Sequence, residues 1–558
     1  MKTLFANIIW FLSTINNTIA YKLAGANVVK VQKKILFDTL RKNAGSAFGQ
    51  KHNFANINTI KEWQESVPLS SYEDYEEYVE QIKKGQEKIL TEDKIILLEP
   101  TSGSSGSNKL IPYTDDLQKQ FQKAIDPWIF DLMTKHKGIL SGKHYWSISP
   151  VTKVSVDSKL PVGFASDEEY LGTIAKHLLR AIRPVPNIVR EIEDIESFYY
   201  VSLFFLLKEK NLVFISIWHP SWLIILLSKF DIYAKQLFQD IARGELNPPK
   251  PIKDSLKKEL LYFIKPAQKR AEELEKIFNS DAQGALYQNI WPKLKVISSW
   301  SDKNTGSTNE QLKKIFPHVF FQDKGLIATE AIVSFPIINH LGKHLAINSH
   351  FFEFRQIEFD NIYSEHKKNK EILLAHQLKE NSHYEVIITT FGGLYRYQLG
   401  DIIKVVGFKH DFPLIEFVGR SKAVSDVCGE KLNEIHVAGI LREIFDEYNI
   451  SPSFAMLAPN KENNKFFYTL FLEIDSSIQK SQDNLKNSLE LKLKENYHYD
   501  NCIKLEQLEK SRIFIIKDNA HKVYLEKMNS LGINLGDIKP VSLSAYKKWK
   551  ETFEGDYV

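Results

Sequence analysis

Glu99-Pro100-Thr101-Ser102-Gly103-Ser104-Ser105-Gly106-Ser107-Asn108-Lys109 follows directly on the apolar run Ile95–Leu98. A strand that feeds a small-residue loop ending in a cation can turn several backbone N–H groups and hydroxyls toward one anion. Glycine lets the backbone come close to it. Polyphosphate is the anion such a loop suits best. The loop is not a Walker A motif, because Gly106 is followed by Ser107-Asn108-Lys109-Leu110 and not by Lys-Ser/Thr. Nucleotide use is therefore expected, on a fold other than that of the P-loop ATPases. A plain surface turn is the other reading of the loop by itself.

Outward from this loop, helical and extended patterns alternate, which points to an α/β chain. Tyr72–Lys84 and Asp115–Lys135 read as helices on either side of it. Asn211–Trp218 reads as a buried strand with a helix from Ser221, and Ser255–Phe278 as one long solvent-facing helix. Strands are expected at Lys293–Trp300, Val319–Asp323 and Ala331–Pro336, and a dense β region over His344–Glu358 and Tyr384–Phe408. A compact α+β unit follows: a helix (Leu432–Tyr448), a β pair (Ser453–Ala458, Lys465–Glu473), a helix (Ile478–Tyr497) and a strand (Arg512–Ile516). The boundary is placed near Ser421. This gives a large N-terminal α/β domain, 1–420, with a β-rich part, and a small α+β domain, 421–558.

At 558 residues the chain exceeds one core, and two to four units are expected. Its 73 Lys+Arg against 69 Asp+Glu leave a formal net charge of +4, which is no nucleic-acid footprint. Two cysteines, Cys428 and Cys502, argue against a disulfide framework and a structural zinc site and fit a reducing, cytoplasmic setting. No run of about twenty apolar residues spans a membrane. Near the N-terminus Leu4, Ile8, Phe11 and Ile15 recur at helical spacing, which predicts an amphipathic helix docked through that face. A secretion signal and a membrane-surface helix are the other readings.

Four further motifs carry chemistry. In Leu394-Tyr395-Arg396-Tyr397-Gln398-Leu399-Gly400-Asp401-Ile402, Gly400-Asp401 interrupts an alternating strand and exposes a carboxylate. Such a carboxylate can accept both hydroxyls of a ribose, or simply cap its own turn. Ala328-Thr329-Glu330 pairs a hydroxyl with a carboxylate, which suits a phosphate and its magnesium ion, or a turn with a surface Glu. Gly419-Arg420-Ser421-Lys422 reads as a linker with a fixed cation, and Gly429-Glu430-Lys431-Leu432-Asn433-Glu434 as a turn into a helix. Leu535-Gly536-Asp537-Ile538-Lys539-Pro540-Val541 holds its lysine in extended backbone ahead of a proline. The sixteen histidines form no zinc-binding spacing. Gly103-Ser104-Ser105-Gly106 is one residue short of a hydrolase elbow. Trp218 and His219-Pro220-Ser221 read as core in preference to the lining of an acyl pocket.

In this order, Thr101–Pro112, Ala328–Glu330, Phe351-Phe352-Glu353-Phe354, Tyr395–Val405 and Gly536–Val541 resemble the auxin-responsive Gretchen Hagen family of acyl-acid amido synthetases, within the adenylate-forming superfamily. Gly419-Arg420 with Gly429–Leu432 resembles that superfamily's hinge. The resemblance implies an enzyme, a ligase that adenylates a small carboxylic acid with ATP and Mg²⁺ and passes the acyl group to an amino acid. It implies a monomer acting on small molecules, not on nucleic acid. It implies that Ser102, Gly103, Ser104, Ser105, Gly106 and Lys109 hold the β/γ-phosphates and that Thr329 meets the α-phosphate. Glu330 would place Mg²⁺, Tyr397 and Asp401 would bind the nucleoside, Arg420 would add a cation, and Lys539 would arrive with the mobile small domain. Lys539, Glu330 and Lys109 are the catalytic candidates. Leu326 stands where the plant enzymes carry an aromatic residue, so adenine packing is expected from Phe320 or Phe321. Asp537 replaces a usually uncharged residue, which bears on the transfer-stage conformation. A CoA-thioester ligase and a non-catalytic, membrane-associated nucleotide binder are the alternatives.

Overall fold

The computed structural model describes residues 2–101, 109–148, 157–163, 178, 181–280, 285–300, 306–357, 371–420, 424–463, 465–474, 482–531, 533, 538 and 541–558. Among them the chain forms a four-stranded parallel sheet, a seven-stranded antiparallel sheet, a four-stranded C-terminal sheet and two short hairpins, with helices around them.

The parallel sheet runs Lys143–Trp146, Leu212–Ser216, Val296–Ser299, Phe320–Asp323 in spatial as in chain order. Its strands are short, and the first three are buried almost throughout, as strands covered on both faces are. Helices Ile195–Lys208 and Pro220–Arg243 cover it, the second capped by His219 and closed at Gly244 in the left-handed region. Helix Asp115–Lys135 begins at Thr114, whose hydroxyl accepts from Leu117 N–H, and matches the range read from the sequence. The long helix expected over 255–278 is two helices, Asp254–Leu261 and Gln268–Asn279. Pro266 between them lacks an N–H and drives Lys265 out of the helical region. Leu256, Leu260, Ala271 and Leu274 are buried, so the pair does not face solvent alone.

The seven-stranded sheet is antiparallel throughout and contains Phe351–Ile357, His383–Thr389, Tyr397–Lys409 and Phe412–Arg420 as its centre. It shares one apolar core with the N-terminal helices and with the hairpin Ile95–Pro100/Leu110–Thr114. That hairpin is the frame of the Ser/Gly loop: Thr101 N–H donates to Lys109 C=O at 2.8 Å and closes the loop at its base.

After 424 the chain forms the expected β pair (Phe454–Glu462 with Lys465–Glu473), extended by Leu508–Ile516 in parallel and Gly555–Tyr557. One face of this sheet packs on helices Glu434–Glu447 and Gln482–Leu493. The other face contributes Phe454, Met456, Phe471 and Phe514 to a core that continues into Phe198, Trp222 and Leu226 of the N-terminal part. The turn Val427–Glu430 is tied by the buried Glu430, which accepts from Val427 N–H, Cys428 N–H and the Tyr468 hydroxyl.

The N-terminal helices Lys2–Ser13 and Ile15–Ala24 dock as expected, but only partly through the expected face, with Phe11 stacked on Phe130. Leu4 and Ile8 are exposed, while Ala6, Asn7 and Trp10 are buried. The Asn7 amide donates to the carbonyls of Leu140 and Gly142, both at 2.9 Å, and Trp10 packs on His144 and Trp146. Two directed hydrogen bonds and an indole outweigh a row of aliphatic side chains in choosing the buried side.

Candidate active site

Three separate stretches meet at one polar cluster. The first is the end of the Ser/Gly hairpin. Lys109 follows the loop, with its ammonium 5.5 Å from the Tyr72 ring centre, and Tyr113 donates to the Thr329 carbonyl at 2.5 Å. The second is the loop from Lys324 to Glu330, which leaves the parallel sheet at its C-terminal edge. Gly325 lets this loop lie against the backbone of Ser334, since a Cβ there would stand 1.9 Å from the Ser334 carbonyl oxygen. The third is the strand pair Tyr397–Lys409/Phe412–Arg420. Between Gln398 and Ile402 the first of these strands carries extra residues opposite Glu385–Ile387, with Gly400 at φ 82°. A bulge of this kind re-aims the side chains beside it.

Asp401 is buried next to this bulge and is paired in register with Arg420, whose Nε lies 3.4 Å from Oδ1. Glu330 keeps part of its surface open. Burial first, and then the negative charge of Asp401, push its carboxyl above the usual carboxylate range, while Arg420 and Lys109 pull it back. Burial, and next the charge of Glu330, likewise raise the Tyr397 hydroxyl far above the tyrosine range. Asp401, Arg420 and Lys109 thus all act on Glu330, and Glu330 on Tyr397, although Lys109 and Arg420 lie more than three hundred residues apart in sequence. Thr329 sits beside them through its carbonyl bond to Tyr113. Ser102, Gly103, Ser104, Ser105, Gly106, Lys539 and the hinge Ser421–Ala423 lie outside the described residues.

The motif around Tyr395 divides into two tasks. Tyr395 and Arg396 are buried and serve the fold. The Tyr395 hydroxyl donates to Leu90 C=O at 2.6 Å. Arg396 pairs with Glu353 at 3.1 Å and donates to the carbonyls of Gln64 and Val67. Glu353, from the Phe351–Phe354 stretch, also accepts from Trp63 and Gln64. Only the end of the motif, Tyr397 and Asp401, faces the cluster.

Phe320 and Phe321 do not supply the expected adenine platform. They begin the last parallel strand, at the end away from Lys324–Glu330. Phe320 rests on His136 at 4.9 Å, and Phe321 packs into the second core. One charged residue escaped the sequence reading. Lys324 is buried, donates to Ser216 Oγ at 2.7 Å, and lies 5.2, 6.0 and 5.1 Å from the rings of Trp128, Trp146 and Trp218. The one available signal was a lysine directly after a strand and ahead of the Thr-Glu motif. Trp218 therefore belongs to an aromatic wall at the C-terminal edge of the parallel sheet. His219 stays with the helix behind it, bonded to Ser221 Oγ at 2.6 Å.

Comparison with known proteins agrees over most of the chain. Residues 21–321 match the GH3 family N-terminal domain, 344–420 its central domain and 442–548 its C-terminal domain. Among curated relatives, indole-3-acetic acid-amido synthetase GH3.15 of Arabidopsis thaliana is 25% identical over 73% of this chain and 70% of its own. The 4-substituted benzoates-glutamate ligase GH3.12 of the same plant is 23% identical over 73% and 72%. Jasmonoyl--L-amino acid synthetase JAR6 of Nicotiana attenuata is 23% identical over 73% and 71%. The solved structure of GH3.15 acyl acid amido synthetase superposes with a TM-score of 0.78, at 19% identity, over 97% of this chain and 96% of that one. On the three matched domains, the shared fold and the order of its motifs, this chain belongs to the GH3 family.

Proposed function

We propose that the chain is an ATP-dependent acyl-acid amido synthetase. A carboxylate oxygen attacks the α-phosphorus of ATP, the bond to the β-phosphate breaks, and pyrophosphate leaves. The amine of an amino acid then attacks the acyl carbon, loses a proton, and AMP departs. The first step turns a poor electrophile into one with a good leaving group, so the protein's task is positioning and charge neutralisation. The observation that carries this reading is the convergence of Lys109, Glu330, Tyr397, Asp401 and Arg420 from three distant stretches into one electrostatically coupled cluster. The relatives, an acid-amido synthetase, a benzoates-glutamate ligase and a jasmonoyl-amino acid synthetase, favour an amine acceptor over CoA.

In this reading the Ser102–Gly106 loop and Lys109 hold the β/γ-phosphates, Thr329 meets the α-phosphate, Tyr397 borders the nucleoside and Asp401 accepts the ribose hydroxyls. Arg420 pairs with Asp401 and adds positive charge near the phosphates. Magnesium fits the donor set. Burial and the Asp401 charge disfavour an ionised Glu330, a cation relieves both, and one or two carboxylates with substrate phosphates are its usual ligands. Glu330 and the Thr329 hydroxyl would hold it, and when bound it neutralises phosphate charge. The acid is placed outside the C-terminal edge of the parallel sheet, against Trp128, Trp146 and Trp218, where open α/β sheets take their ligands. Residues 421–558 are the mobile domain that brings Lys539 to the α-phosphate. Ser542, three residues on, is fixed to that domain by bonds with Leu457 and Glu434. The free thiols of Cys428 and Cys502 support a reducing, cytoplasmic setting.

The test is acid-dependent ATP–pyrophosphate exchange. It is followed by mass spectrometry of products from aromatic, indolic and fatty acids offered with each amino acid or with CoA. Acid-dependent exchange and an acyl-amino acid product are expected. Exchange with only a thioester product would overturn the amide reading, and no exchange with any acid would overturn adenylation.

A further inference from the structure

The helices Lys2–Ser13 and Ile15–Ala24 form one bent rod. Thr14 between them keeps helical backbone angles (φ −78°, ψ −14°), and Thr18 N–H donates to its carbonyl at 3.1 Å. At 100° per residue the buried positions Ala6, Asn7, Trp10, Thr14, Thr18, Tyr21 and Ala24 occupy one side. The opposite side carries Leu4, Phe5, Ile8, Leu12, Ile19 and Leu23. They fall within an arc of about 100° and run for roughly 30 Å along the rod. Each is between 38% and 69% exposed. Six large apolar side chains in one stripe are not the scattered singles of an ordinary surface.

The rod itself carries Lys2 and Lys22 and no carboxylate. Residues 1–37 contain five lysines and no Asp or Glu: Lys2 and Lys22 on the rod, and Lys30, Lys33 and Lys34 on the next helix, Val28–Lys42, where Lys34 pairs with Asp38 at 3.4 Å. This local excess is larger than the net +4 of the whole chain. Lys22 leans over Phe130, 5.6 Å from the ring centre, on the helix against which the rod packs. The carboxylates of that helix nearest the rod are Asp126, which accepts from Asn17, and Asp131, which feels Lys22 and Lys135. Asp126 is buried and takes the Asn17 amide at 2.6 Å, so it does not face the lysines at the surface.

We propose that this rod is a docking surface for an anionic phospholipid bilayer. It lies flat in the interface, with the stripe at the boundary of headgroups and acyl chains and the lysines at the level of the phosphates. No helix among the described residues is long and apolar enough to cross a membrane, so the contact is peripheral. A second copy of the chain is a poorer occupant. A two-fold contact through this face would set the lysines of two rods against each other, and the rod supplies no carboxylate to pair them. The proposal does not depend on the reaction assigned above.

The experiment is flotation of the full-length protein with vesicles of phosphatidylcholine and with vesicles containing about one third phosphatidylglycerol. Flotation is expected with the anionic vesicles and roughly tenfold less, or none, with the neutral ones. Phe5→Asp/Leu12→Asp removes it while the melting temperature and the exchange activity stay at wild-type values. Leu12→Ser/Leu23→Ser, a milder pair, guards against a folding defect in the first. No flotation of the wild type, or equal flotation of both variants, would overturn the proposal. Self-association of the wild type by light scattering, lost in the variants and without vesicle binding, would make a second copy the occupant and overturn it as well.

Discussion

The Nε of Arg420 lies 3.4 Å from Oδ1 of Asp401, at positions paired across two neighbouring strands. The guanidinium pairs with a buried carboxylate at a bulge, with Glu330 nearby. Two carboxylates and two cations in one half-buried cluster fit a polyphosphate with its counter-ion better than a folding role. Asp401→Ala is expected to cut acid-dependent ATP–pyrophosphate exchange by about 10²-fold or more. The loss should appear mainly as a raised KM for ATP, with the circular-dichroism melt intact. A wild-type KM would remove Asp401 from the nucleoside site.

Lys539→Ala is expected to slow formation of the acyl-adenylate by about 10²-fold or more, by withdrawing a charge from the transition state. Amide formation from a chemically prepared acyl-adenylate should be spared. Rapid-quench measurement of both half-reactions decides. Adenylation at the wild-type rate would end the role given to Lys539.

Glu353→Gln tests the structural half of the motif. Arg396 is buried with Glu353 as its ionic partner. Removing one charge of a buried pair costs on the order of 3 kcal/mol. A lower denaturant midpoint is expected, with little change in exchange activity per folded molecule. Loss of activity at unchanged stability would mean that Glu353 serves chemistry.

Gly325→Ala forces a methyl group against the Ser334 carbonyl, so the loop to Glu330 must move away from the strand behind it. A destabilisation of about 1–3 kcal/mol is expected. Because Thr329 and Glu330 ride on this loop, exchange activity should fall more than the melting temperature suggests. Unchanged values of both would show that the loop gives way freely.

Asp126 supplies a pH dependence of stability. Burial raises its carboxyl from 3.8 to about 7 in the fold. The stability tied to the protonated form is therefore complete below pH 3.8 and is lost as pH rises toward 7. The loss is on the order of 3–4 kcal/mol in total. The buried His144, His344 and His350 are shifted down and act in the opposite sense: their contribution is lost as pH falls below 6.5. The difference between wild type and Asp126→Asn isolates the carboxyl. The variant should gain relative stability between about pH 4 and 7 in urea unfolding. A flat difference curve would show that Asp126 ionises normally.

Much of the local structure was legible in the sequence. Asp115–Lys135 was readable because Thr114 caps it and its apolar residues keep helical period. The β pair after 453 was readable from alternation. The segment 255–278 was misread because periodicity continues across Pro266, while the backbone does not.

The candidate site was legible as separate motifs but not as an assembly. Tyr395, Arg396 and Asp401 stand in one unbroken stretch, yet the first two are spent on a buried network and the third faces the cluster. Lys324 was invisible as part of an aromatic cage because Trp128, Trp146 and Trp218 come from three different elements.

By itself the sequence determined the local elements, the family resemblance and the chemical types available, because capping, periodicity and motif spacing act between near neighbours in the chain. Only the tertiary structure decided which carboxylates share a field and which face of the N-terminal helices is buried. Asp401 meets Arg420 and Glu330 through strand pairing and a bulge, and Asn7 chooses its side by bonding carbonyls more than a hundred residues away. Burial and electrostatic coupling depend on distance in space, which a one-dimensional pattern does not record.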